Sequence, residues 1–114
     1  MVIPASQQRI AVRELTDFCD RRIPLPDGDK KRLLHRWRGA TVTLIEQRPW
    51  WTEGIPWVES AIAQFRFDPQ RNEWTLYWRD RNQRWHPYED SPRARNISRL
   101  LVEVDQDPTG IFWG

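Results

Sequence analysis

The chain has 114 residues, with 18 basic and 16 acidic side chains, a net charge of +2, one cysteine and eight tryptophans. That length suits one domain over residues 1–114 with a core of its own, and the lone Cys19 excludes an intramolecular disulfide, a Cys-x-x-Cys redox pair and a cysteine zinc finger. Residues 1–9 lack the basic and apolar regions of a secretion signal, and no apolar run approaches a membrane span, so the expectation is a cytoplasmic protein with no membrane partner.

The charge is unevenly placed. All 18 bases and 13 of the acids fall in residues 1–99, whereas residues 100–114 hold Glu103, Asp105 and Asp107 and no base. Sixteen of the bases are arginine, which favours planar, bidentate and stacking contacts with phosphates, bases or carboxylates. Codon bias in a GC-rich genome would produce the same enrichment.

In chain order, residues 6–22 read as an amphipathic helix: Ser6 can cap it, and Ala11, Leu15, Phe18 and Cys19 recur at helical spacing. Pro24, Pro26 and Asp27-Gly28 make residues 23–29 a loop. Alternating and β-branched residues predict strands over 31–37 and 41–47, closed by Arg38-Gly39-Ala40. Residues 48–57, rich in proline and tryptophan, break the alternation and read as a long connection. A third strand over 59–67 places Ala61, Ala63, Phe65 and Phe67 on one side and Ile62, Gln64 and Arg66 on the other.

The fourth strand, 74–79, alternates Trp74, Leu76 and Trp78 against Thr75, Tyr77 and Arg79. A tight turn at Asn82-Gln83 would pair Tyr77 with Tyr88, Trp78 with Pro87 and Arg79 with His86, Pro87 marking the fifth strand as an edge. A second helix, starting at Ser91 or Asn96 and running to Val104, carries Ile97, Leu100, Leu101 and Val104 as its stripe. Asp105 and Asp107 oppose the dipole at its end, and the apolar ending Ile111-Phe112-Trp113 reads as packed. The predicted fold is α+β: a two-layer domain in which a five-stranded antiparallel meander carries an N-terminal and a C-terminal helix on one face.

The segments Phe18-Cys19, Arg22-Ile23-Pro24, Glu46-Gln47-Arg48-Pro49-Trp50, Ile62-Ala63-Gln64-Phe65-Arg66, Trp74 through Asn82, Arg84-Trp85-His86 and Asp107 through Gly114 resemble a family of small bacterial proteins known as domain of unknown function 3024. The resemblance spans nearly the whole chain. It implies a bacterial, stand-alone domain and carries over no catalytic or binding residue. One departure is Gln83, where glycine is expected after Asn82 and where a left-handed turn conformation costs glutamine more.

Two binding surfaces compete. With Ala61, Phe65, Trp74 and Trp78 facing the helices, joined by Trp37 and Trp85, period-two geometry sends Arg36, Arg38, Arg66, Tyr77, Arg79, His86 and Tyr88 outward. Arginines among aromatics on an open sheet suit single-stranded nucleic acid, although any one-sided sheet also has a solvated polar face. The other candidate is a protein partner or a homodimer on Trp50, Trp51, Trp57 and Trp113, rings that would equally serve as core.

Catalytic signals are weak. Cys19 lies on the apolar stripe of a helix, and His35 and His86, even beside Glu46 or Asp80, match no ligand spacing. With no phosphate-cradling glycine loop and no G-x-S-x-G elbow, the expectation is a non-enzymatic binding domain with no cofactor and no metal.

Overall fold

The computed structural model describes residues 3–22, 31–49, 57–89 and 93–113. Helix α1 (Ala5–Arg22) precedes strands β1 (Arg32–Arg38), β2 (Thr41–Pro49), β3 (Trp57–Asp68), β4 (Glu73–Arg79) and β5 (Trp85–Pro87). A two-residue strand β6 (Arg93–Ala94) and helix α2 (Ile97–Gln106) follow. The strands form an antiparallel meander in the order β1-β2-β3-β4-β5, the five-stranded sheet expected, with β6 added along the same edge of β4 as β5.

Both helices bury their stripes in one cluster with one sheet face. Ala11, Leu15, Phe18 and Cys19 of α1 and Ile97, Leu100, Leu101 and Val104 of α2 meet Val42, Leu44, Phe65, Phe67, Trp74 and Leu76. Trp74, 1% exposed, sits against Phe67 and Trp37 with ring centroids 5.1 and 6.2 Å away, both edge-on as aromatic quadrupoles prefer. The α1 stripe emerges as the spacing predicts, but Ser6 does not cap it: the helix starts one residue earlier, with the Pro4 carbonyl accepting from the Gln8 N–H. Asn96 caps α2, its side chain accepting from the Ser98 N–H at 3.0 Å.

Two departures from strict alternation decide which side chains reach the open face. In the β2–β3 pair, Leu44 stands opposite Ala63 but Ile45 stands opposite Ala61, so Ile62 is an extra residue in a β-bulge. Ile62 therefore joins the core cluster while Ala61 turns outward, reversing the expectation for both. In the β4–β5 hairpin the pairs are Tyr77 with Pro87, Trp78 with His86 and Arg79 with Trp85, one residue away from the predicted register. A shift of one exchanges the faces of the whole strand, so Trp85 turns outward, His86 stacks on Trp78, and Tyr88 enters the core.

The turn explains that shift. Asp80 and Arg84 close a longer loop through Asp80 N–H to Arg84 O at 2.9 Å, and Gln83 takes the left-handed conformation at φ 65°. The Asp80 carboxylate accepts from the Asn82 and Arg84 N–H groups at 2.8 and 2.9 Å, organising the turn from inside. Strands β2 and β3 also run further than predicted, pairing Pro49 with Trp57, so Trp57 is a strand residue. Trp50 and Trp51, like the loop expected over 23–29, fall outside the described residues.

The end of the chain is docked. Asp107 stops α2 in the left-handed conformation, and its carboxylate accepts from the N–H groups of Phe112 at 3.1 Å and Trp113 at 2.9 Å. The Trp113 indole N–H donates to the Val104 carbonyl at 2.8 Å, and Phe112 is buried against Tyr88. Asp105, expected to oppose the helix dipole, is ion-paired with Arg22 of α1 at 2.7 Å.

Candidate functional site

The face of the sheet turned away from the helices gathers the charge. Even-numbered residues of β1 project there beside Thr41 and Thr43 of β2, Gln64 and Arg66 of β3, and Thr75, Tyr77 and Arg79 of β4, in rows fixed by the register. Six arginines (Arg32, Arg36, Arg38, Arg66, Arg79, Arg93) share the face with three carboxylates (Glu59, Asp68, Glu73). The surface is basic by alternation, since arginine recurs at i and i+2 in β1 and across the rows.

Three aromatic rings on this face each carry an arginine. Arg66 lies over Tyr77 at 3.8 Å, Arg32 over Trp57 at 4.2 Å and Arg79 beside Trp85 at 5.6 Å from the ring centroids. Arg66 also donates to Gln64 Oε1 at 2.8 Å, and the Gln64 amide donates to Thr43 Oγ1 at 3.0 Å, so the guanidinium is held over the tyrosine. The group at the surface here is thus the Arg66 guanidinium, with Tyr77 beneath it.

Around this pair runs a groove of about 820 Å³ lined by Arg38, Thr41, Arg66, Thr75, Tyr77 and Arg93, with Asp68, Arg71 and Glu73 toward its end. Arg38 and Arg93 are exposed and have no hydrogen-bond or ion-pair partner for their guanidinium groups among the described residues. Arg36 is engaged: it makes a two-pronged contact with Glu59 at 3.0 and 3.1 Å, and Gln47 donates to the same carboxylate. The hydrogen bond from Arg36, reinforced by Gln47, holds Glu59 down at about 2, well below the usual carboxylate range. The Arg36 charge is therefore offset where it stands.

Beside the groove lies a second depression of about 430 Å³ bounded by Arg36, Ile45, Glu59, Ala61, Arg79 and Trp85. Arg79 donates to Gln83 Oε1 at 2.8 Å, while its Nε is shielded from solvent and has no acceptor among the described residues. An unmet buried donor is uncommon and costly.

Of the residues predicted for a nucleic-acid surface, the structure brings together Arg36, Arg38, Arg66, Tyr77 and Arg79 on the outer face. It removes two. His86 faces the core side, its ring 4.8 Å from Trp78 and its Nε2 2.6 Å from Asp80 Oδ2. Tyr88 is buried, donating to Glu103 at 3.1 Å. Trp85, Arg32, Trp57 and Arg93 belong to the face and were not predicted there. The parity of Arg36 and Arg38 already implied Arg32, whereas a strand as short as β6 gave Arg93 no periodic signal.

Trp113 is half-buried, with Arg22 over its ring at 3.9 Å, so its polar atom and one ring face are taken up within the chain. The histidines do not converge. His35 accepts from the Trp37 indole at Nδ1, 3.0 Å, which leaves Nε2–H to donate to Thr16 Oγ1 at 3.2 Å, and burial pushes its pKa down. The Asp80 carboxyl is held below its ordinary value by the Arg84 N–H and then by His86, as a support for the turn. Burial and then the Asp20 charge push the Cys19 thiol up to about 12, an unreactive state. Among the described residues no three His, Cys, Asp or Glu side chains are placed to hold a metal, and no helix is long and apolar enough to cross a membrane.

Residues 3–114 match the model of a family described as a domain of unknown function (DUF3024). No curated protein and no solved structure matches the chain.

Proposed function

The chain belongs to the DUF3024 family over residues 3–114, and we propose that its outer sheet face binds single-stranded nucleic acid weakly and with little sequence preference. The observation that carries this reading is the set of three arginine–aromatic pairs on a face that no described element covers, beside a groove edged by Arg38 and Arg93, which are unpaired among the described residues. Phosphates meet Arg38 and Arg93, whose guanidinium groups have no hydrogen bond or ion pair to break among the described residues. Bases stack on the Arg66 plane and on Trp85, surfaces that accept any base because every base has a π face. A duplex keeps its bases stacked inside, out of reach of rings set into a sheet.

Neutralising two or three phosphates of a single strand gives a slope of log K against log salt of about −1.4 to −2. Titration with a fluorescein-labelled oligothymidylate at low salt, repeated at rising salt, measures both binding and slope. Arg38→Gln, Arg66→Gln and Arg93→Gln each weaken binding while leaving the unfolding midpoint in place. Absence of binding at low salt, or binding indifferent to salt, refutes the reading.

A further inference from the structure

We infer that the depression under Trp85 seats one unstacked base of the bound strand, an inference that rests on the single-strand reading. Its shape follows from the β-bulge. An uninterrupted register would set Ile62 opposite Ile45 on the outer face and fill the space; the bulge sets Ala61 there instead and sends Ile62 into the core. A shallow apolar floor of Ile45 and Ala61 is left, with the Trp85 ring as its wall. Ile45 is buried yet belongs to no part of the core cluster, so this floor is a small apolar site apart from the core.

The polar rim favours a base over a phosphate. Arg36 and Glu59 neutralise each other, so among the described residues Arg79 is the one remaining cation at the depression, whereas the adjoining groove carries Arg38 and Arg93, unpaired among the same residues. Arg79 is also the arginine whose present contacts leave a donor unmet, since its shielded Nε has no acceptor among the described residues. Rotation of its guanidinium toward a carbonyl or ring nitrogen of a base would satisfy that donor. The two depressions are one two-residue step apart along β2 (Thr41 to Thr43) and β4 (Tyr77 to Arg79), about 7 Å. That is about the rise of two stacked nucleotides, so one strand reaches both.

The test compares oligothymidylate with a strand of the same length lacking its bases, by fluorescence anisotropy. Wild type binds the base-bearing strand about fivefold or more tightly, the effect of stacking one base. Trp85→Leu removes the wall and lowers that preference about fivefold; Ala61→Ile fills the floor without touching the ring and lowers it as much, with affinity for the baseless strand as in wild type. An unchanged preference in both variants, with binding to the baseless strand intact, overturns the base pocket and leaves the arginine groove standing. Failure of wild type to bind either strand overturns the sheet-face reading and the pocket with it.

Discussion

Asp107 holds the last helix and the end of the chain together, and replacing it separates its two roles. Its backbone sits in the left-handed region at φ 43°, ψ 58°, and its carboxylate accepts from the Phe112 and Trp113 N–H groups. Hydrogen bonds to a charged group contribute about 1.5 to 3 kcal/mol each, toward the low end here because water recovers part of the loss at a half-exposed turn. Alanine adds the left-handed penalty, roughly 1 kcal/mol beyond aspartate's. Asp107→Ala therefore costs roughly 3 to 4 kcal/mol, a large part of the roughly 5 to 15 of a typical domain. Asp107→Gly loses both bonds but tolerates the backbone, at about 2 to 3, and Asp107→Asn keeps one acceptor, at about 1 to 2 kcal/mol. Urea unfolding followed by tryptophan fluorescence orders the series, and the Trp113 indole N–H resonance reports release of the tail from Val104. A glycine variant no more stable than alanine, or an asparagine variant as damaged as alanine, refutes the double role.

Three further outcomes follow from the titratable groups. His35 is held neutral, its folded pKa below the unfolded value of 6.5, so its contribution to stability is complete above about pH 6.5 and is lost as the pH falls toward the folded pKa; His35→Gln flattens the unfolding midpoint between pH 7 and 5, and an unchanged profile contradicts the assignment. Glu59 titrates at about 2 by carboxyl NMR and returns toward the ordinary range, about 4.3, in Arg36→Ala. A midpoint unmoved by that change would show that Arg36 does not hold it. Cys19, buried with its thiol pushed up to about 12, resists a thiol-reactive disulfide reagent in the native state and reacts on unfolding; rapid labelling of native protein contradicts its burial.

The fold was legible because its elements obey their own periods. The α1 stripe, the α2 stripe and the alternation of β4 stand where spacing placed them. What spacing could not supply was the count of residues in turns and pairs. The sequence reads as a tight turn at Asn82-Gln83, but the Asp80 carboxylate gathers two N–H groups and the loop is longer, moving His86 and Tyr88 off the binding face and Trp85 onto it. The bulge at Ile62 is likewise silent in a run of alternating apolar residues, because Ala61 and Ile62 suit either face. Five of the seven residues predicted for the basic face are on it: the β1–β2 pairing that carries Arg36 and Arg38 and the β3–β4 pairing that carries Arg66 and Tyr77 lie clear of both irregularities, and Arg79 follows Tyr77 by two residues on β4.

Amide chemical-shift mapping during titration with an unlabelled oligothymidylate locates the bound strand on the protein. Changes are expected at Thr41, Thr43, Arg66, Thr75, Tyr77 and Trp85, with the exposed helix positions Val12 and Val102 unmoved. Shifts centred on the helices, or none at low salt and saturating strand, would contradict binding at the sheet face.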